Sequence, residues 1–271
     1  MIIIFDTFGG LCNQFYDIQC GINFCIVNNI KFSFRYCSYR NKELDSWYNK
    51  KFDNLFDMSF LKKYNDLYIN YDTLNLNTEN TYNYECERAI LLFTKDYLNE
   101  LKNIKKEFII LKQFWAVYNF QKIVDNIIPF IIPSKNLLDV YNKIKNKIMV
   151  TTGEQYNFIH YRYEKDFTSH FKVEVQKLKP LILNLKHKFR NPNLKIYIAT
   201  SNIHELIDLN DHELNNIIIT KNENKLQDYN FEEKAFIDYM FGLNSNEVFG
   251  HSKSSFSHML NNAKKTSNYY D

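Results

Sequence analysis

The opening thirty-six residues constrain the fold more than any other stretch. Residues 2–5 form a short apolar run closed by Asp6-Thr7-Phe8-Gly9-Gly10, and from about residue 13 to 28 apolar side chains recur at helical spacing, at Phe15, Ile18, Ile22, Cys25 and Ile26. A run of that length ended by glycines reads as a buried strand, and the change of period reads as a helix laid back on it. Residues 30–36 read as a second strand. A chain that opens strand, glycine turn, helix, strand is committed to an α/β layer, because the helix must bury its apolar stripe on the sheet.

The second half repeats the alternation. Strands are expected over 156–161, 194–199, 216–219 and 247–249, with helices over 172–189, 231–243 and 254–263. That order predicts a parallel sheet with crossover helices. In the middle, residues 108–111 read as a strand and 117–128 as a helix. Pro129 and Pro133 punctuate the chain, and Ser134 stands where it can cap a helix through Leu137, Leu138, Val140, Tyr141 and Ile144. Residues 38–85 are rich in Asn, Asp and Tyr, with too little periodicity to assign elements. The expected fold class is α/β, two Rossmann-like domains facing a cleft, over residues 1–133 and 134–271. Ligands in such sheets bind beyond the carboxyl ends of the strands.

Composition narrows the function classes. Aromatic residues reach 17%, which excludes a largely disordered chain. The net charge is +3 and the lysines are scattered, unlike the clustered basic face of a nucleic-acid binder. The groups at 102–106 and 143–147 read as solvated helix faces. Cys12, Cys20, Cys25, Cys37 and Cys86 form no CxxC pair, which argues against a disulfide framework or a structural zinc and suits reduced thiols in a cytosol-like compartment. No basic region precedes the short apolar run at the start, and no stretch approaches the roughly 20 apolar residues of a membrane span. The expectation is a cytoplasmic protein. His204, Asp211 and His212 fit no standard metal spacing, and no metal is expected. Glycine is scarce, 6 residues against 36 Asn, 20 Tyr and 23 Phe, as an AT-rich codon bias would give. A glycine that persists against that bias marks a place where only glycine fits.

Three constellations carry polar chemistry at strand ends. The first is Gly9-Gly10-Leu11-Cys12-Asn13-Gln14, where a tight turn feeds a helix N-terminus suited to an anion or a sugar. It has neither the GxGxxG nor the P-loop pattern, and spacing alone fits a plain strand–turn–helix connection equally well. The second is His160-Tyr161-Arg162-Tyr163-Glu164-Lys165-Asp166. His160 and Arg162 lie two apart and share a strand face. Arg162 offers a planar fork for phosphate, His160 a second donor, and Asp166 a partner for Arg162. Alone, the same cluster reads equally as surface ion pairs. The third runs from Phe236-Ile237-Asp238 through Gly242 and Val248-Phe249-Gly250 to Ser254-Ser255-Phe256-Ser257. Asp238 stands in an apolar stretch and needs a partner, or else it faces outward. The serines can cap a helix whose N-terminus is also an anion site.

Together the three segments resemble the GDP-fucose-dependent fucosyltransferases, in particular the protein O-fucosyltransferase superfamily with its α1,2-fucosyltransferase relatives. GGLCNQ is similar to the superfamily's N-terminal glycine–Asn loop, and HYRYEKD to its HxR motif, the RxEKD continuation being similar to the plant branch. IDYMFGLNSNEVFGHSKSSFS resembles its third region, in which an Asp precedes Ser-Ser-Phe by a fixed interval. The resemblance implies a GT-B enzyme that transfers fucose from GDP-fucose with inversion and without a bound metal or cofactor. Arg162 would contact the β-phosphate and glycosidic oxygen, and His160 would support the nucleotide. Asp238 would hold guanine or ribose, and Ser254, Ser255 and Phe256 the phosphates. Gly10, Leu11 and Asn13 would reach the same donor from the N-terminal domain, with Asn13 joining Arg162 and His160 in catalysis. Asp166 would orient the Arg162 loop. Asp17 and Glu164 are candidate bases, and Asp6 is a further carboxylate at a strand end.

The chemistry of the residues agrees. Leaving GDP gathers negative charge, and Asp208-Leu209-Asn210-Asp211 is not the DxD with which many glycosyltransferases hold a metal. Arg162 and a helix N-terminus can supply the balancing positive charge. The absence of secretory features and the short chain favour a glycan or small-sugar acceptor over a folded protein. Two alternatives stay open: a same-fold glycosyltransferase using another donor such as a nucleotide-rhamnose, and a nucleotide-binding protein without catalysis.

Overall fold

The opening apolar run becomes the central strand of a five-stranded sheet. In the computed structural model, strand β1 (Ile2–Thr7) lies between β2 (Lys31–Asn41) and β5 (Phe108–Lys112), parallel to both, with Ile2 opposite Lys31 on one side and Phe108 on the other. The sheet runs β3-β2-β1-β5-β4, with β3 (Ser46–Lys51) an antiparallel edge and β4 (Thr81–Tyr84) parallel. Buried on both faces, Ile3, Ile4 and Phe5 explain the unbroken apolar run. Helix α1 (Leu11–Asn28) ends at Asn29, whose left-handed backbone (φ 52°) donates its N–H to the carbonyls of Cys25 and Ile26. Helix α2 (Asp96–Asn103) follows β4 in the chain.

The structure describes residues 1–41, 46–84, 96–112, 123–148, 154–163, 165–201, 214, 218–221 and 226–271. The chain divides into two units, Met1–Leu137 with Asn230–Glu233, and Leu138–Tyr229 with Lys234–Asp271. The second unit holds a sheet in the order β10-β9-β6-β7-β8, built from β6 (Tyr156–His160), β7 (Lys195–Ala199), β8 (Ile218–Ile219), β9 (Val248–His251) and β10 (Tyr269–Tyr270), all parallel. Its helices are α3 (Lys135–Ile148, begun in the first unit), α4 (Lys165–Phe171), α5 (Leu178–Lys186), α6 (Phe231–Asn244, its first turn in the first unit) and α7 (Ser255–Lys264). Both sheet faces are covered. Leu178, Leu181, Ile182 and Leu185 of α5 pack on Ile159, Ile196, Ile198 and Phe249. On the other face Phe241 of α6 stacks on Tyr197, which stacks on Phe158 (centroids 4.3 and 5.6 Å). Each such buried side chain contributes roughly 1.5–3 kcal/mol.

Two expectations change. The helix over 172–189 begins only at Leu178. Pro180 would break a helix interior, whereas in the first turn of α5 its missing N–H has no partner to lose; Lys172, at φ 50°, ends α4 instead. Of the helix expected over 117–128, residues 117–122 lie outside the described residues, and 123–127 are not helical. There the side chains of α1 take the backbone donors: Asn23 Oδ1 accepts from Val124 and Asp125 N–H (2.8 and 2.9 Å), and Gln19 Oε1 from Ile127 N–H (2.8 Å). The expected strand over 216–219 is described only at Ile218–Ile219. Residues 38–85, left without elements, continue β2 to Asn41 and add β3, three 3-10 turns and β4 among the described residues.

Candidate functional site

In the first unit, the glycine turn connects β1 to α1. Gly9 has φ +89°, the left-handed region, and a Cβ there would stand 2.9 Å from Asn13 Nδ2. Gly10 is the N-cap, and its carbonyl accepts from Asn13 and Gln14 N–H (2.8 and 3.2 Å). Among the described residues, a Cβ on Gly10 would meet only the Arg40 guanidinium, at 3.5 Å, so the bare backbone stands beside a cation. Gln14 holds the turn from below. Its Nε2 donates to the carbonyls of Gly9 (2.9 Å) and Ser38 (2.8 Å), and its Oε1 accepts from Thr7 Oγ1 (2.7 Å). Asn13 is half-buried and Leu11 is buried; Leu11 can offer a ligand only its backbone.

The candidate base Asp17 is buried under this turn and accepts from Phe8 N–H at 2.8 Å. That makes it a support of the loop, not a group open to an acceptor hydroxyl. Asp6 is likewise committed, paired through both oxygens with Arg35 (2.9 and 2.5 Å).

In the second unit, the end of β6 meets the start of α7. His160 Nδ1 lies 2.9 Å from Ser257 Oγ, and its ring lies against that of Phe256 (4.4 Å). Gly250 allows this approach, since a Cβ there would stand 2.3 Å from Ser257 Oγ and 2.5 Å from its Cβ. Tyr270 on the edge strand β10 locks the backbone that follows: its hydroxyl donates to the His160 carbonyl (2.6 Å) and accepts from Arg162 N–H (3.2 Å). The Arg162 guanidinium lies over the Phe167 ring at 5.2 Å. Ser254 is the N-cap of α7, its side chain accepting from Ser257 N–H. Helix geometry points the N–H groups of Ser255 and Phe256 out of the start of α7, at the positive end of the helix dipole. Ser255 is exposed and Phe256 half-buried.

Asp238 does not face outward. It is buried, with Oδ1 accepting from Tyr197 Oη (2.8 Å) and Oδ2 paired with Lys221 Nζ, itself buried. A ligand contact to Asp238 would share its carboxylate with Lys221 and Tyr197. His251 is buried among Tyr163, Phe167 and Tyr270 and accepts Lys253 N–H on Nδ1 (3.1 Å). Burial pulls its pKa below the ordinary 6.5; Asp271 opposes this, and Lys253 and Arg162 add to it.

The structure thus brings His160, Ser254, Ser255, Phe256 and the Arg162 backbone to one strand-end cluster. Gly10, Leu11 and Asn13 belong to the other unit. Asp166 lies in the first turn of α4, and its side chain, like the whole of Glu164, lies outside the described residues. So do His204, Asp211, His212, the 208–211 segment and Cys86. Cys12, Cys20, Cys25 and Cys37 are buried. Sequence reasoning gave no role to Ser257 or Lys221. The first stands three residues after the cap, a visible signal; the second lies 17 residues from Asp238 with no local pattern linking them. Among the described residues, no three His, Cys, Asp or Glu side chains are grouped to hold a metal ion, and no helix is long and apolar enough to cross a membrane.

No protein-family model matches the sequence, and none of the curated proteins does. Solved structures do match. POFUT1 in complex with GDP-fucose aligns with TM-score 0.67 at 10% identity, covering 99% of this chain and 97% of that one. The NodZ α-1,6-fucosyltransferase co-crystallized with GDP aligns with TM-score 0.55 at 11% identity, over 96% and 91%. Fucosyltransferase NodZ from Bradyrhizobium gives TM-score 0.55 at 10% identity, over 96% and 92%. The chain has the GT-B fold. Its two Rossmann-like units span nearly the full length of these proteins.

Proposed function

We propose that this chain is an inverting, metal-independent fucosyltransferase that moves fucose from GDP-fucose to a hydroxyl of a glycan or small-sugar acceptor. Residues 134–271 bind the donor and residues 1–133 form the acceptor side. The observation that carries the reading is the His160–Ser257 bond at 2.9 Å. It joins two motif segments 97 residues apart into one cluster at the carboxyl end of the parallel sheet, where such folds bind nucleotides. The likeness to chains described with GDP-fucose and GDP supports the same assignment.

In this reading the chain's own groups do what a metal does elsewhere. As the bond from the anomeric carbon to GDP breaks, charge grows on the β-phosphate. Arg162 meets it with a planar fork, and the first N–H groups of α7, at Ser255 and Phe256, meet it with the helix dipole. His160 and Ser254 hold those donors in place. Asp238, shared with Lys221 and Tyr197, takes the nucleoside. Gly10, Leu11 and Asn13 are proposed to contribute backbone and amide groups to donor binding. Asp166 is a further donor-binding candidate, and Glu164 is the candidate base.

The test is GDP release from GDP-fucose with a library of saccharide acceptors. Arg162→Ala lowers the rate roughly 10²–10³-fold, the usual effect of removing one such preorganised donor, and leaves the melting temperature unchanged. Transfer at near wild-type rate in that variant overturns the assignment.

A further inference from the structure

Beside the glycine turn, unit 1 carries an aromatic pair with no part in the core. Trp47, on the edge strand β3, is 37% exposed. Its ring lies 5.2 Å from that of Phe8, tilted by 44°, and Phe8 directly precedes Gly9. The Phe8 backbone and the Trp47 ring are both held. Phe8 is held through its N–H on Asp17. Trp47 is paired in register with Arg40 of β2, whose guanidinium lies over the indole at 5.1 Å. Arg40 is fixed in turn: its N–H donates to Glu232 Oε2 at 2.8 Å, and its guanidinium lies over Phe231 at 4.5 Å. The patch is small. Strand alternation sends the neighbouring Tyr48 to the other face, where it stacks on Tyr39 (5.7 Å).

We propose that Phe8 and Trp47 form the stacking platform for one ring of the carbohydrate acceptor, with Arg40 as a positioning residue that holds the indole. The proposal rests on the functional reading above and adds the residues that take the acceptor. A pyranose has one face of C–H groups and a rim of hydroxyls, so it needs a flat apolar surface edged by polar donors. A rigid indole beside a guanidinium and the bare Gly10 backbone is that combination. Two rings offer far less than the roughly 800 Å² per side of a stable protein interface, which disfavours a protein partner. A pre-fixed ring also loses little side-chain entropy on binding.

The test uses the labelled full-length chain on a glycan array in the presence of GDP, alongside thermal shift with GDP alone. The wild type binds a subset of glycans. Trp47→Ala weakens that binding roughly five- to tenfold, the size of an aromatic stacking contribution, and Trp47→Phe retains most of it. Both variants keep the wild-type melting temperature and its rise with GDP, since Trp47 lies at the sheet edge outside the core. Three results overturn the platform: no glycan bound by the wild type, unchanged binding in Trp47→Ala, or loss of the GDP response in that variant, which would make Trp47 a nucleotide contact. A wild type whose melting temperature ignores GDP overturns instead the donor reading itself.

Discussion

Gly250→Ala is the sharpest structural perturbation of the proposed donor site. The added Cβ would stand 2.3 Å from Ser257 Oγ, 2.5 Å from Ser257 Cβ and 3.4 Å from its Cα. Carbon atoms rest at about 3.5–4.0 Å, so α7 must retreat by about 1 Å at Ser257. The 2.9 Å separation of His160 and Ser257 then passes the limit of a hydrogen bond. Overpacking of this kind costs about 1–3 kcal/mol, and the lost buried bond about 1 kcal/mol more. A total of about 2–4 kcal/mol lowers the melting temperature by about 4–16 °C at 2–4 °C per kcal/mol. Differential scanning fluorimetry reads it directly. The double variant Gly250→Ala with Ser257→Gly removes the two clashing side-chain atoms and leaves only the milder 3.4 Å approach to the backbone of residue 257. It melts above Gly250→Ala alone, even though glycine costs the first turn of α7 up to about 1 kcal/mol. A Gly250→Ala protein that melts within about 1 °C of wild type, less than these distances require, refutes the packing argument.

Two further outcomes follow from buried charge. Lys221→Met leaves the Asp238 carboxylate buried with Tyr197 and costs about 3–5 kcal/mol; adding Asp238→Asn recovers much of that loss, as chemical denaturation will show. His251 sets a pH dependence. Burial holds its folded pKa below 6.5, so below about 6.5 the unfolded chain binds a proton that the folded chain refuses, and stability falls as pH drops. Melting temperature therefore decreases from about pH 7.5 to about pH 5.5, and His251→Asn, which cannot titrate, flattens that slope; an unchanged slope removes His251 as its cause.

The sequence made the local order legible and left the long-range pairings dark. The opening strand, turn and helix were readable because Ile2 to Phe5 and the helical stripe behind Gly10 each obey one period. The cap at Ser254 was readable because capping is a local, three-residue device. The residues around 172–189 misled because apolar spacing continues on both sides of Pro180, and the position of a proline within a helix decides whether it breaks or begins it. The segment before Pro129 misled for another reason: Gln19 and Asn23, over a hundred residues earlier, compete for its backbone. Strand β10, two residues long, carries no period at all, yet its Tyr270 fixes the backbone between His160 and Arg162. The role of Lys221 as partner of Asp238 belongs to the same class, a tertiary pairing that neither composition nor spacing encodes. The scarcity of glycine, by contrast, was informative. Gly9 holds a left-handed turn, and Gly250 makes room for Ser257.

In the proposed function, the positive charge of the strand-end cluster serves a guanosine diphosphate sugar without a metal. Thermal shift of the full-length chain with GDP-fucose, GDP, UDP and UDP-sugars, in the presence of a chelator, tests it most directly. At a ligand concentration of about 100 times Kd the stabilisation is about 2.7 kcal/mol, or about 5–11 °C at the same conversion. GDP-fucose and GDP should produce it and the uridine nucleotides should not. A shift given by UDP-sugars instead, or one that appears only when a divalent cation is supplied, contradicts the account.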